Sequence, residues 1–221
     1  LTSDWKPDCA LYRTTRRDQV VAAFDFDGTI TASDSLPDFV RYAVGSRRLI
    51  YGAIRAAPWL AGMLIGACDR GTAKAHFLAE TIGAATRCEL EDAAQRYAAQ
   101  RLPALVRPEM AARIGEHKRR GHLLVLVSAS PALYLKAWAT SAGFDAVLAT
   151  ELEFRDGRFY GRLASPNCWG PEKVRRLQHW FVDGQPRVLY AYGDSRGDTE
   201  MLALANHAWL RGHGEMPSID A

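Results

Sequence analysis

Residues 20–29 read VVAAFDFDGT. The first half is short, apolar and β-branched at its start, the pattern of a strand buried on both faces. The strand is expected over Val20 to Asp27, with Gly28 allowing a sharp turn directly afterwards. It closes in two carboxylates, Asp25 and Asp27. Residues two apart on a regular strand point the same way, so both acids are expected on one side of the chain. Close carboxylates repel, and a divalent cation is the simplest compensator. A turn-capping acid accounts for Asp27 alone, but not for a pair behind an apolar strand.

Four further apolar runs read as strands: Leu123 to Ser128, Val147 to Glu151, Val188 to Tyr192 and a short Ala208 to Arg211. Between them, Pro108 to Arg120, Pro131 to Ala142, Pro171 to Phe181 and Asp198 to Ala205 read as helices, three of them opened by proline. Repeated strand–helix–strand alternation predicts a parallel sheet covered on both faces. Phe154 to Gly161 is different: Asp156-Gly157 between β-formers signals a hairpin.

Residues 33–105 break the alternation. They are alanine-rich and predict four or five helices without a strand. The division expected is a core of residues 18–32 and 106–221, a helical insertion at 33–105, and an N-terminal extension at 1–17. Within the insertion, Leu49 to Cys68 carries a single charge, Arg55, and is long enough to cross a bilayer. Pro58 near its middle and the glycines favour instead a buried or interfacial helix pair broken at Pro58. Gly62 and Gly66 suit close helix packing.

Hydrophobic residues make up 48% of the 221 and charged residues 24%, the balance of a folded globular protein. Net charge is +3, too weak to argue for nucleic acid. Cys9, Cys68, Cys88 and Cys168 are widely spaced without a metal pattern and read as reduced thiols of a cytoplasmic protein. Leu1 to Arg17 holds no apolar run resembling a secretory signal.

The acids recur. Asp194 ends the fourth strand within Gly193-Asp-Ser-Arg-Gly-Asp198 and is expected at the same rim as Asp25, where parallel sheets gather their ligands. Asp198 sits at an expected helix start and reads either as a cap or as a member of the acidic site. Together the acids form an oxygen-rich site suited to magnesium. Ser128-Ala129-Ser130-Pro131 ends the second strand with a hydroxyl and free N–H groups that can hold phosphate oxygens at a helix start, although Ser128 also reads as a helix cap. Lys173 falls in the first turn of a helix, where a cation opposes the macrodipole unless an anion lies between them.

Asp25-Phe-Asp-Gly-Thr, Ser128 after a strand, Lys173, and Gly193-Asp-Ser-x-x-Asp198 resemble, in order, the four motifs of the haloacid dehalogenase superfamily. The insertion after the first motif resembles the cap of its phosphoserine phosphatase-like branch. Cys168-Trp-Gly-Pro-Glu-Lys173-Val and the segment Tyr190 to Arg211 look most like phosphatidylglycerophosphatase C-like proteins. The resemblance implies an α/β fold with a Rossmann-like parallel sheet and an inserted helical cap. It implies a magnesium-dependent phosphomonoester hydrolase with Asp25 as nucleophile, forming an aspartyl phosphate, and Asp27 as general acid and base. Magnesium would be held by Asp25, the Asp27 carbonyl and Asp194, supported by Asp198, and phosphate by Ser128, Ala129 and Lys173.

The substrate stays open between a lipid-linked phosphate such as phosphatidylglycerophosphate and a small soluble phosphomonoester, with a phosphotransferase as a different class. Asp34 lies nine residues beyond Asp25, where phosphoserine phosphatases carry a glutamate. With Arg55 and Trp59 it is a specificity candidate. Trp59, Leu60, Met63, Leu64 and Ile65 form either the core of the cap or an apolar entrance that docks on membrane. Arg47, Arg48 and Arg55 nearby would favour an anionic surface, peripheral on the inner face of the cell membrane.

Overall fold

The computed structural model describes residues 17–219. The expectations for Cys9 and for most of the N-terminal extension lie outside these residues. The chain folds as β1 (Val20–Phe24), α1 (Ser35–Val44), α2 (Ser46–Leu64), α3 (Arg70–Ile82), α4 (Arg87–Gln100), α5 (Pro108–Arg119), β2 (Leu123–Pro131), α6 (Ala132–Ala142), β3 (Ala146–Thr150), β4 (Leu152–Arg155), β5 (Arg158–Leu163), α7 (Pro171–Trp180), β6 (Val188–Gly193), α8 (Thr199–Leu204) and β7 (His207–Leu210).

Five strands pair in parallel in the order β3-β2-β1-β6-β7, an α/β fold with a Rossmann-like core. The sheet is central because its strands bury both faces. Along β1, Ala22 and Phe24 join an apolar cluster with α4, α5 and α6, whereas Val21 and Ala23 join another with α7 and α8. The two-residue alternation of a strand divides the two cores. β1 is flanked by β2 and β6, so the chain order reverses between β1 and β6, and a crevice opens at their carboxyl ends.

The strand expected to reach Asp27 stops at Phe24. Beyond it the chain enters a wide turn over Phe26–Ile30, in which Gly28 adopts φ +80°. A Cβ at Gly28 would run into the Asp194 carboxylate, so glycine serves both the left-handed backbone and the close approach of the loops after β1 and β6.

α1 to α4 occupy residues 35–100 and contain no strand, as expected. Their shared cluster includes Leu36, Val40, Ala56, Leu78 and Leu90, and it also takes Leu152 and Phe159 from the β4–β5 hairpin. That hairpin turns through Asp156 (φ 47°) and Gly157 (φ 73°), the left-handed pair its sequence calls for. Two expectations are corrected. α2 is one continuous helix running through Pro58, not a pair broken there. An interior proline costs about 3 kcal/mol in lost bonding and steric strain, but Pro58 faces solvent, where water can satisfy the freed carbonyl. Close helix packing occurs at Gly52, whose added Cβ would overlap the Thr81 methyl, rather than at Gly62 and Gly66. Gly66 lies beyond the helix at φ +74° with open space around it. Among the described residues no helix is long and apolar enough to cross a membrane.

Candidate active site

The carboxyl ends of β1 and β6 are locked together by a hydrogen bond from the Asp25 N–H to the Tyr192 carbonyl at 2.9 Å. This brings Asp25 beside Asp194 and Asp198, whose carboxylate oxygens lie within 4.8 Å of one another. The Thr29 hydroxyl stands 3.2 Å from both Asp25 Oδ2 and Asp194 Oδ1.

Lys173, at the start of α7, is buried and inserts its ammonium between two acids. Its Nζ donates to Asp25 Oδ1 at 2.5 Å and to Asp198 Oδ1 at 2.6 Å. Burial alone would drive the lysine toward its neutral form, but the charges of Asp25 and Asp198 outweigh it and raise its proton affinity. The cation that the helix dipole disfavours is therefore held by anions. Asp198 joins the acidic cluster but does not cap the helix that follows it. Its second oxygen accepts from the N–H groups of Asp194 and Ser195 at 3.2 and 3.1 Å, closing a reciprocal cap on the turn Arg196–Asp198.

Burial raises the Asp25 pKa to about 7 against the opposing pull of Lys173, and the Asp198 charge pushes the same way as burial. Asp194, half-buried, is also raised, by burial and then by Asp198. Three carboxylates thus face one ammonium. This all-oxygen, net-negative donor set fits a hard divalent cation.

Asp27 departs from the expected arrangement. The strand ends before it, so strand geometry does not align its carboxylate with that of Asp25, although both line one cavity. The Asp27 carboxylate turns toward α1 and the end of β2, accepting from the Ser35 N–H at 2.7 Å and from the Ser130 hydroxyl. Burial raises its pKa, with the nearby Asp34 charge adding to the effect and the serine hydrogen bonds opposing it. The acid is therefore predisposed to hold a proton.

A cavity of about 450 Å³ opens above these groups. Asp25, Asp27, Ser128, Ala129, Lys173 and Asp198 line its floor. Ser128 Oγ accepts from the Ser130 N–H at 3.0 Å, within the irregular end of β2 that borders the cavity. Asp34 lines the wall while capping α1 through Leu36 N–H at 3.0 Å. Leu36, Leu60, Met63 and Phe77 supply apolar wall.

Arg55 and Trp59, the other specificity candidates, are not among the lining residues. Arg55 pairs with Glu80 on the surface at 2.8 Å, and Trp59 stacks on His76 with ring centroids 3.9 Å apart. The apolar cluster expected around Trp59 divides: Leu60 and Met63 line the cavity, whereas Leu64 and Ile65 are 81% and 82% exposed. Sequence reading missed Thr29, Ser35, Ser130, Lys74 and Asn167. Ser130 carried a signal, a second hydroxyl in Ser-Ala-Ser beside a helix start. Lys74 carried none, since it lies in a helix remote from every motif.

The family model for haloacid dehalogenase-like hydrolases matches residues 22–203, spanning every group just described. The chain belongs to the haloacid dehalogenase-like hydrolases. It is 36% identical over 193 residues to Protein CicA of Caulobacter vibrioides, covering 87% of this chain and 86% of that one. Its fold is similar to that of a Bordetella pertussis protein of unknown function (TM-score 0.74, 21% identity, 86% of this chain and 89% of that one). A probable phosphoserine phosphatase from Vibrio cholerae shares the fold at TM-score 0.62 and 14% identity, over 87% of this chain and 55% of its own.

Within this family site, Lys173 neutralises two buried carboxylates at once. Lys173→Met is expected to lower stability at neutral pH in the presence of chelator by about 3 kcal/mol, the low end of the cost of breaking a buried pair, because Asp25 can take up a proton. Urea unfolding of the variant against the parent measures it, and an unchanged midpoint and slope would contradict the arrangement.

Proposed function

We propose that the chain is a magnesium-dependent phosphomonoester hydrolase working through an aspartyl phosphate on Asp25. The observation that carries this reading is the position of Asp25: a buried carboxylate, flanked by Lys173 and by Asp194 and Asp198, at the floor of a cavity at the sheet's switch point. The family membership supports it.

In the first step an Asp25 oxygen attacks phosphorus and forms the O–P bond as the bond to the leaving oxygen breaks. Asp27 gives its proton to that oxygen, so the substrate departs as an alcohol. In the second step Asp27 takes a proton from a water molecule as the water oxygen attacks phosphorus. The bond to Asp25 breaks, and inorganic phosphate leaves. The separation of the two acids suits this division of labour. Lys173 opposes the rise that burial produces in the Asp25 pKa and favours its charged form, while Asp27 has no such cation bonded to it and a raised proton affinity. The Asp25 and Asp194 carboxylates and the Asp27 main-chain carbonyl would hold magnesium, with Asp198 supporting. The bound ion would offset charge shared between nucleophile and phosphate. Ser128, the Ala129 N–H and Lys173 would hold the remaining phosphate oxygens.

We read residues 33–105 as a cap over the core at 18–32 and 106–221, with the leaving group held between them. The apolar wall of Leu36, Leu60, Met63 and Phe77 favours a substrate with an apolar portion, such as a lipid-linked phosphate like phosphatidylglycerophosphate. α2 supports delivery from a membrane surface. It lends Leu60 and Met63 to the cavity and exposes Ile50, Tyr51, Ile54 and Leu64 beside Arg47, Arg48 and Arg55. A small soluble phosphomonoester is the second reading, favoured by the fold shared with phosphoserine phosphatases.

Asp25→Asn is expected to remove magnesium-stimulated phosphate release altogether while leaving thermal unfolding near that of the parent. Chelation of the parent by EDTA should do the same, reversibly. Substantial turnover by the pure variant would exclude the mechanism.

Phosphate release from short-chain phosphatidylglycerophosphate is expected to exceed that from phosphoserine, histidinol phosphate and sugar phosphates. The protein should also float with anionic, not neutral, liposomes. A clear preference for a water-soluble member would remove the lipid reading.

A further inference from the structure

Lys74 on α3 lines the cavity and is partly buried, yet it is not part of the carboxylate cluster. Its ammonium donates to the Ala129 carbonyl at 2.6 Å and to Asn167 Oδ1 at 2.8 Å. Both acceptors are neutral, and among the described residues no carboxylate lies within ion-pair distance of it. An ammonium has three hydrogens, so one remains for an occupant of the cavity. Burial lowers the Lys74 pKa to about 8, and the charges of Asp27 and Asp34 oppose that fall only in part. Arg70, four residues earlier on the same helix, also lines the cavity, its guanidinium 4.8 Å from the Trp169 ring centre.

These positions bear on the substrate. Lys74 binds the carbonyl of Ala129, the residue whose N–H is assigned above to the phosphate, so the free hydrogen lies beside the phosphate-holding loop. Asp25 and Asp198 are already served by Lys173, and Asp27 by Ser35 and Ser130. Lys74 therefore feels Asp27 and Asp34 only at longer range and hydrogen-bonds to neither, which leaves its ammonium able to meet an anion in the cavity.

We propose that Lys74, seconded by Arg70, forms a subsite for a second anionic group on the substrate, close to the phosphate that is removed. The class of substrate is then a phosphomonoester bearing another anion, either a phosphodiester or a carboxylate, on the leaving-group side. Lys74 is a specificity-determining residue and takes no part in the transfer itself. The proposal rests on reading the cavity as the substrate site of a phosphatase, and it is tested by binding so that the two can fail separately.

Dissociation constants would be measured by calorimetry with the Asp25→Asn protein, alone and with Lys74→Met or Lys74→Arg added. The probes are octyl phosphate, with a neutral leaving group, phosphoserine, with a carboxylate, and short-chain phosphatidylglycerophosphate, with a phosphodiester. Lys74→Met is expected to weaken at least one dianionic probe by roughly 10- to 100-fold relative to octyl phosphate, the worth of one hydrogen bond between charged groups. The probe affected identifies the anion, and Lys74→Arg should restore most of the preference. If Lys74→Met weakens all three probes equally, or none, Lys74 only ties α3 to the end of β2 and the subsite is refuted. A shifted preference, together with no phosphate release from any probe by the parent protein with Asp25 intact, would uphold the subsite and overturn the phosphatase reading.

Discussion

The contact of the Lys173 ammonium with Asp25 and Asp198 is the interaction on which the rest of the site depends. It joins three loops far apart in the chain: the ends of β1 and β6 and the start of α7. A nucleophilic carboxylate must be both buried and charged, two conditions that oppose each other. Burial alone pushes Asp25 toward its protonated form, and Lys173 holds that tendency in check. The sheet order makes the contact reachable. With β1 between β2 and β6, Asp25 has Ser128 and Ala129 at the end of β2 on one side and Asp194 and Asp198 on the other.

The parallel core was legible in the sequence because buried strands bounded by glycine and acids announce themselves locally. β2, β3, β6 and β7 fall within a few residues of their expected places, and Asp156-Gly157 marks its hairpin. The rim acids were legible for the same reason: strand ends in a parallel sheet converge whatever the detail of the loops. Asp27 reaches the cavity shared with Asp25, but the strand expected to carry it there was extended three residues too far. The turn that begins at Phe26 sends its carboxylate to Ser35 and Ser130 instead, a direction set by partners 8 and 103 residues away. Pro58 misled because propensity counts the cost of an interior proline without knowing that the position faces water. Lys74 was invisible, since in a one-dimensional pattern a lysine in an alanine-rich helix is a solvated residue. Only the packing of α3 over the end of β2 brings it into the cavity wall.

The catalytic floor and the cavity wall therefore answer to different constraints. The floor is built from short, motif-bound segments whose residue types are dictated by charge. The wall comes from helices in which almost any apolar residue would preserve the fold, so the sequence says little about its shape. α2 illustrates this division. Its inner face lends Leu60 and Met63 to the cavity, and its outer face leaves Ile50, Ile54 and Leu64 uncovered. Neither property changes the periodicity of the helix. Asp34, Arg70 and Lys74 are the charged side chains that these helices and their approach bring to the cavity wall.

The central claim is that Asp25, held ionised by Lys173, accepts the phosphoryl group. It is tested most directly by acid quenching of the enzyme during turnover, followed by mass mapping of its peptides. The account predicts one phosphoryl group, labile to hydroxylamine, on the peptide containing Asp25. Steady release of phosphate with no such adduct at any quench time, or with the phosphoryl group on another residue, would contradict it.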